Sequence, residues 1–218
     1  MTASTRTVIL VSGNGSNLQA IIDACQQQRC HATVVGVISN NANAYALQRA
    51  QAAQIPTAYV DHRTYATREE FDQTLQLTID TYASDLIVLA GFMRILTPTF
   101  VRHYAGRLLN IHPSLLPKYR GLHTHQRALD AGDSEHGSTV HFVTEELDGG
   151  PLIAQARIQI CADDTAATLA TKTQTREHQL YPRVIDWYAQ GRLHLVNQHV
   201  VFDQQRLSQP LNLDTVNP

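Results

Sequence analysis

The run Leu86-Ile87-Val88-Leu89-Ala90 is the most apolar stretch of the chain and decides the fold. Short, continuous apolar runs are typical of parallel strands buried on both faces of a sheet. Val8–Val11 is a second such run and ends at Ser12-Gly13. Between the two, apolar residues recur at helical spacing, most clearly over 68–82. This alternation predicts an α/β protein with a doubly wound, mostly parallel sheet, whose ligands bind at the carboxyl ends of its strands.

The same patterns extend in both directions from the central run. Further strands are predicted at 33–39, 57–60 and 108–111, with helices after 17 and at about 44–53. Beyond His112 the pattern becomes antiparallel, with alternating strands at 138–143 and 152–160 and a terminal hairpin formed by 193–196 and 199–202. A long helix is predicted from about 164 to 190, which Pro182 should kink or break. The tail from Gln209 is expected to be loosely ordered.

The composition narrows the class of protein. The chain has 17 Lys and Arg against 19 Asp and Glu, a balance that gives no positive field for holding nucleic acid. Its three cysteines form no Cys-x-x-Cys pair, and an odd number favours reduced thiols in the cytosol. No N-terminal apolar run is long enough for a signal peptide or a membrane span. We expect a cytoplasmic protein that binds neither nucleic acid nor membranes.

A polar triplet follows the strand at 108–111. Asn110 and His112 are two residues apart, so an extended segment directs both side chains to one face. Asp148, in a glycine-flanked turn 36 residues after His112, could orient the imidazole. An amide donor, an acid/base group and a carboxylate together could stabilise a tetrahedral oxyanion. The alternative is structural, with two hydrogen-bonded residues at a strand end and an aspartate that only forms a turn.

Two loops at strand ends complete the pattern. The first βα turn, Ser12–Leu18, is rich in glycine and precedes a helix, whose free N–H groups and positive dipole end favour a phosphate. It departs from the dinucleotide fingerprint, because Leu18 stands where the third glycine is required. The second loop, Gly91–Leu96, leaves the central strand and could line a pocket with apolar side chains. Each loop alone also fits a structural role, as a tight turn or as core.

Together these segments resemble the glycinamide ribonucleotide formyltransferase family, folate-dependent enzymes of purine synthesis. The resemblance covers nearly the whole chain and is carried by 13–18, 89–96, 109–117, 121–125 and 147–151. It implies one Rossmann-like formyltransferase domain, 1–218, with a phosphate-binding half of about 1–105, a folate-binding and catalytic half of about 106–205, and a C-terminal antiparallel extension. A tRNA formyltransferase or a formyltetrahydrofolate hydrolase would be expected to carry a further domain. Arg120 departs from the family pattern, which has proline there.

The resemblance also implies the reaction and its residues. The formyl group would pass from the co-substrate 10-formyltetrahydrofolate to the glycyl amine of 5-phosphoribosylglycinamide, with Asn110, His112 and Asp148 as the catalytic residues. The acceptor would be bound by Gly15, Ser16, Asn17, Gln174 and Glu177, the last at its ribose. The folate would be bound by Arg68, Leu89, Met93, Arg94, Ile95, Leu96, Leu108, Asn110, Val143, Thr144, Glu145, Glu146, Leu147 and Asp148.

The sequence leaves alternatives open. A formyltransferase that acts on an amino sugar nucleotide would keep the triplet and need a different acceptor pocket, whereas a phosphate-binding module without activity has no need for the triplet. His123 and His125, with His136 and His141 nearby, match no closed zinc set. We therefore expect no metal, and place His123 and His125 in a loop near the cleft. The oligomeric state is open, with a homodimer as one alternative.

Overall fold

A computed structural model describes residues 4–216 of the chain. The strands are β1 Thr5–Val11, β2 Ala32–Ser39, β3 Thr57–Tyr59, β4 Leu86–Leu89, β5 Leu108–His112, β6 Glu135–Phe142, β7 Leu152–Gln159, β8 Leu193–Val196, β9 His199–Phe202, β10 Gln205–Arg206 and β11 Leu211–Asn212. The helices are α1 Ser16–Gln26, α2 Tyr45–Ala52, α3 Arg68–Asp80, α4 Pro98–His103, α5 Thr124–Asp130 and α6 Ala166–Ala189, with a short 3-10 turn at His62–Thr64.

The main sheet has eight strands in the order β11-β7-β6-β5-β4-β1-β2-β3. Strands β1 to β5 pair in parallel, β6 runs antiparallel to both of its neighbours, and β11 pairs in parallel with β7. A separate antiparallel sheet is formed by β8, β9 and β10. The predicted fold class, a mostly parallel α/β sheet with a C-terminal antiparallel extension, is confirmed.

Apolar side chains fill both faces of this sheet. In β1, Ile9 and Val11 face the layer of α1, α2 and α6, whereas Val8 and Leu10 face that of α3 and α4. This alternation follows from the period of two along a strand, and it explains why the strand is a continuous apolar run. With both faces covered, the carboxyl ends of the central strands are left as the place where a ligand can approach the sheet.

The predictions of a helix break at Pro182 and of a loosely ordered tail from Gln209 were wrong, while a kink at Pro182 stays a prediction. Pro182 does not break α6, which continues from Ala166 to Ala189, and the nearby residues Tyr181 and Val184 are fully buried. Packing of these turns against the sheet outweighs the single backbone hydrogen bond that proline cannot make. The tail is ordered over 209–216, and 217–218 lie outside the described residues. Strand β11 extends the sheet, and Leu213 is buried and donates its N–H to the Gln155 carbonyl at 2.9 Å.

The short helices α4 and α5 were not predicted from the sequence. Helix α4 has two recognisable start signals, since Thr97 accepts a hydrogen bond from Phe100 N–H and Pro98 occupies the first turn. Helix α5 has no such signal, because His123 precedes it in the left-handed conformation with no side-chain cap. None of the helices within residues 4–216 has the length and apolar character needed to cross a membrane.

Candidate active site

A cavity of about 710 Å³ opens at the carboxyl ends of β4 and β5. Its walls come from the loop after β4, the end of β5, the loop before α5 and the turn after β6. The lining residues are Leu89, Gly91, Phe92, Met93, Arg94, Ile95, Leu96, Val101, Asn110, Ile111, His112, Pro113, Gly121, Leu122, His123, Thr124, His125, His141, Val143, Thr144, Glu145, Glu146, Leu147 and Asp148. The whole Asn110, His112 and Asp148 triplet therefore lies in one cavity.

His112 is the last residue of β5 and is almost fully buried. Its Nδ1 lies 3.4 Å from Asp148 Oδ2, and its Nε2 lies 2.9 Å from the Tyr119 carbonyl oxygen. Carboxylate and carbonyl oxygens only accept, so each ring nitrogen faces an acceptor. The Nε2 contact has hydrogen-bond geometry, whereas the longer Nδ1 contact is an ion-pair distance to the carboxylate.

Asp148 reaches His112 from a strained turn. Its backbone is left-handed, with φ of +48°, a conformation that aspartate tolerates better than most residues. Its Oδ2 also accepts the Gly121 N–H at 2.9 Å, so the carboxylate joins the turn to the loop before α5. Gly150 fixes the end of the turn, because a Cβ there would lie 1.8 Å from the Phe142 carbonyl oxygen. The glycine and the strain together aim the carboxylate.

Asn110 is held by a histidine that sequence reasoning did not assign to the site. His141 lies directly opposite Asn110 in the antiparallel β5–β6 pair, and its Nε2 lies 3.2 Å from Asn110 Nδ2. His141 Nδ1 donates to the Phe142 carbonyl oxygen at 2.9 Å, which leaves Nε2 as the acceptor. Burial lowers the pKa of His141 and keeps the ring neutral. One amide hydrogen of Asn110 is thereby fixed, and the other remains for a ligand.

The first turn lies beside the cavity and, with part of α6, carries the residues predicted to bind the acceptor, which we call the second site. Gly15 precedes α1 with φ of +75°, and a Cβ there would lie 2.5 Å from Ala46 Cβ, so only glycine fits. Arg49 on α2 donates to the Asn14 carbonyl at 2.9 Å and to Asn14 Oδ1 at 3.1 Å, which braces the turn. Ser12 Oγ accepts the Met93 N–H at 2.8 Å, so this turn directly contacts the loop that lines the cavity.

Helix α6 supplies the remaining polar groups of this second site. Asn17 Nδ2 donates to Glu177 Oε2 at 2.8 Å, and Gln174 Nε2 donates to Ser16 Oγ at 2.9 Å. Glu177 is buried, and that burial raises its pKa to about 6 against the opposing effect of the Asn17 hydrogen bond. The buried Asn17 Oδ1 has no hydrogen-bond partner among the described residues. The residues predicted to bind the acceptor are therefore in contact, although those at the start of α1 and those on α6 are far apart in sequence.

The structure brings most of the predicted folate residues together and leaves two apart. The cavity lining includes every one of them except Arg68 and Leu108. Arg68 is the first residue of α3, and Leu108 is 1% exposed in the core layer of α3 and α4. Contact of either residue with a ligand stays a prediction. His123 and His125 line the cavity, in agreement with their predicted place near the cleft.

Two of the histidines near the cavity, His125 and His136, contact each other. His125 Nδ1 lies 3.0 Å from His136 Nε2, and burial is the largest cause that lowers the pKa of both rings. Over residues 4–216, no group of three or more histidine, cysteine, aspartate or glutamate side chains is arranged to hold a metal ion. Asn110, His112 and Asp148 all line the cavity.

Known proteins are similar to this chain in both sequence and fold. The formyl transferase family model matches residues 5–185. The phosphoribosylglycinamide formyltransferase of Escherichia coli (strain K12) is 56% identical over 92% of this chain and 94% of its own length. The structure of the phosphoribosylglycinamide formyltransferase of Coxiella burnetii superposes with a TM-score of 0.92 at 52% identity, over 96% of this chain and 100% of that one. Glycinamide ribonucleotide transformylase 1 of Symbiobacterium toebii gives a TM-score of 0.89 at 39% identity, over 93% and 95% of the two chains.

The chain belongs to the formyl transferase family. Within that family it is one of the phosphoribosylglycinamide formyltransferases, enzymes of de novo purine biosynthesis, as the sequence predicts. The expected fold and enzyme class are confirmed. The roles of individual residues, the formyl donor and the oligomeric state are separate questions.

Proposed function

We propose that the enzyme transfers the formyl group of 10-formyltetrahydrofolate to the glycyl amine of 5-phosphoribosylglycinamide. The neutral amine attacks the formyl carbon and a new C–N bond forms. The tetrahedral intermediate then collapses with cleavage of the bond between the formyl carbon and N10 of the folate. One proton leaves the attacking nitrogen and one reaches N10, so the products are formylglycinamide ribonucleotide and tetrahydrofolate. The observation that carries this proposal is the triplet at the base of one cavity.

Asn110 and His112 stabilise the oxyanion in different ways. Asn110 donates its free amide hydrogen to the formyl oxygen, while His141 fixes the other. His112 contributes positive charge, held by Asp148 on one side and by the Tyr119 carbonyl on the other. A donor placed for the transition state contributes about 3 kcal/mol. When N10 leaves, one N–H of His112 exchanges its protein acceptor for the substrate, and the ring passes a proton towards N10.

The acceptor substrate binds at the first turn. Its phosphate lies against the backbone N–H groups of Gly15, Ser16 and Asn17, where the dipole of α1 favours an anion. Glu177 accepts hydrogen bonds from the ribose hydroxyls, and Gln174 lies beside it through its contact with Ser16. The contact between Ser12 and Met93 supports this placement, because it brings the acceptor site next to the loop that lines the cavity.

The folate occupies the 710 Å³ cavity. The pterin lies among Leu89, Val143 and the loop Met93–Leu96, and the turn Thr144–Asp148 closes over it. Arg68 contacts the benzoylglutamate tail, which requires that the folate extend beyond the cavity to the start of α3. The partners proposed for the enzyme are these small molecules alone. A cytoplasmic location and a homodimer stay predictions.

A single assay tests the proposal. Consumption of 10-formyltetrahydrofolate is followed by absorbance with and without 5-phosphoribosylglycinamide, and in parallel with an amino sugar nucleotide as acceptor. We expect turnover that depends on phosphoribosylglycinamide and yields one tetrahydrofolate per formylated product. Consumption without any acceptor would instead mark a hydrolase, and turnover with the amino sugar nucleotide alone would assign a different acceptor.

A further inference from the structure

Arg120 connects the two loops that hold the catalytic pair. It stands in the segment 118–121, which we call the histidine loop because the Tyr119 carbonyl in it contacts His112 Nε2. Its guanidinium forms an ion pair with Glu146, in the turn 144–148 that carries Asp148. The sequence resemblance leads us to expect proline at position 120, a residue that has no cation to offer. The ion pair is therefore a feature of this chain that the reaction of the family does not require.

The backbone around Arg120 is held by several contacts, so the position from which its side chain extends is fixed. The Arg120 carbonyl accepts a hydrogen bond of 2.7 Å from Arg127 Nη1, and the Arg127 guanidinium lies 5.2 Å from the centre of the Tyr119 ring. Tyr119 in turn donates through its hydroxyl to Asp133 at 2.8 Å. The histidine loop is consequently fixed to α5 and to the residues that follow α5.

The turn is also attached through Glu145 and Asp148. Glu145 pairs with Arg102 of α4 at 2.6 Å, and Asp148 accepts the Gly121 N–H at 2.9 Å. Glu145 thus holds the turn to α4, whereas Glu146 and Asp148 hold it to the histidine loop. The partner of Glu146 is Arg120, which is next to Tyr119 in the sequence. The Glu146 side chain is 66% exposed and that of Arg120 is 39% exposed, so the pair lies at the rim of the cavity.

We propose that Arg120 is a positioning residue that latches the turn 144–148 onto the histidine loop when the formyl donor is bound. This inference rests on the proposed function, since it takes the folate to be the ligand under the turn. An exposed ion pair contributes little to folding, because water and salt screen it. If the turn closes when the ligand binds, the small free energy of this ion pair adds directly to the free energy of binding.

The test measures steady-state kinetics of Arg120→Gln, Glu146→Gln and the double variant, each with both substrates varied. We expect KM for 10-formyltetrahydrofolate to rise by about two- to fivefold in each single variant, the range that an exposed pair allows. The double variant should show no further rise, because the second substitution removes a partner already lost. KM for phosphoribosylglycinamide and the thermal midpoint should stay at their wild-type values. Arg157→Gln is the matched control, since it breaks an exposed Arg–Glu pair between β6 and β7, away from the cavity.

Two further measurements distinguish the latch from direct contact between Glu146 and the folate. Raising the salt concentration should increase the folate KM of the wild type by a larger factor than that of Arg120→Gln, because only the wild type has the ion pair to lose. The exchanged variant Arg120→Glu/Glu146→Arg should recover most of the lost affinity. Additive effects in the double variant would mean that Glu146 contacts the folate directly, and would overturn the latch, as would a wild-type KM in Arg120→Gln. If the wild type itself does not use 10-formyltetrahydrofolate, the proposed function fails before the latch is tested.

Discussion

The burial of Glu177 leads to a prediction about both stability and binding. Its pKa is raised from the ordinary value of 4.5 to about 6, with burial as the largest cause. At about 1.36 kcal/mol per pKa unit, this rise means that the folded protein is destabilised by about 2 kcal/mol when the carboxylate is ionised. Glu177→Gln removes the charge and keeps the shape. We expect the variant to be more stable than the wild type at pH 7.5.

The sign of the pH dependence follows from the two pKa values. Between pH 4.5 and about 6 the unfolded chain releases the Glu177 proton while the folded protein retains it, so wild-type stability falls as the pH rises. Above about pH 6 the full difference of about 2 kcal/mol is present, and below pH 4.5 it vanishes. The carbonyl of the new glutamine can still accept from Asn17 Nδ2, and its NH₂ can donate to the buried Asn17 Oδ1, which has no partner among the described residues.

The gain in stability should come with a loss of acceptor binding. A hydrogen bond to a charged group contributes about 1.5–3 kcal/mol, so KM for phosphoribosylglycinamide should rise by about ten- to a hundredfold while KM for the folate is unchanged. Urea unfolding of both proteins from pH 4.5 to 8, followed by tryptophan fluorescence of Trp187, measures the stability difference. A difference that does not change with pH would refute the linkage, and an unchanged acceptor KM would remove Glu177 from the binding site.

Three further predictions concern the groups around the cavity. His112→Ala and Asp148→Asn should fold normally and lose more than tenfold in kcat, a barrier increase above ~1.4 kcal/mol; either variant retaining more activity would contradict its role. Gly15→Val should raise KM for the acceptor and spare folate affinity, since a Cβ at this position meets Ala46, and titration with each ligand separately reveals the opposite outcome. His141→Ala should lower kcat about tenfold by releasing the Asn110 amide, with folate binding by calorimetry as the control; full kcat would show that Asn110 needs no such support.

The sequence was informative wherever local pattern alone determines the structure. The apolar runs specify strands buried on both faces, and the spacing of Asn110 and His112 at the end of β5 places both in the cavity. Glycine at position 15 marks a turn with positive φ, so the turn could be located from the sequence alone. These features depend on residues close in sequence.

The sequence was less informative where contacts between segments distant in sequence determine the structure. His141 meets Asn110 only because β6 pairs antiparallel with β5 in one register, and that register is set by the 22 residues between His112 and Glu135. The two-residue strand β11 has no pattern of its own and is ordered by the edge of β7. Pro182 remains within α6 because the turns around it are buried, which local propensity does not express. In each case tertiary packing outweighs a local rule.

The same register explains how one cavity can contain two histidines with opposite tasks. His112 has the Asp148 carboxylate beside one ring nitrogen and the Tyr119 carbonyl beside the other, so both nitrogens face acceptors. His141 donates to the Phe142 carbonyl at one nitrogen and accepts from Asn110 at the other, and burial disfavours its charge. If His141 were protonated, it would lose its ability to accept from the Asn110 amide and would place a second cation beside His112. A neutral His141 is therefore a condition for Asn110 to keep its second amide hydrogen free for a ligand, and the burial of β6 favours that neutral form.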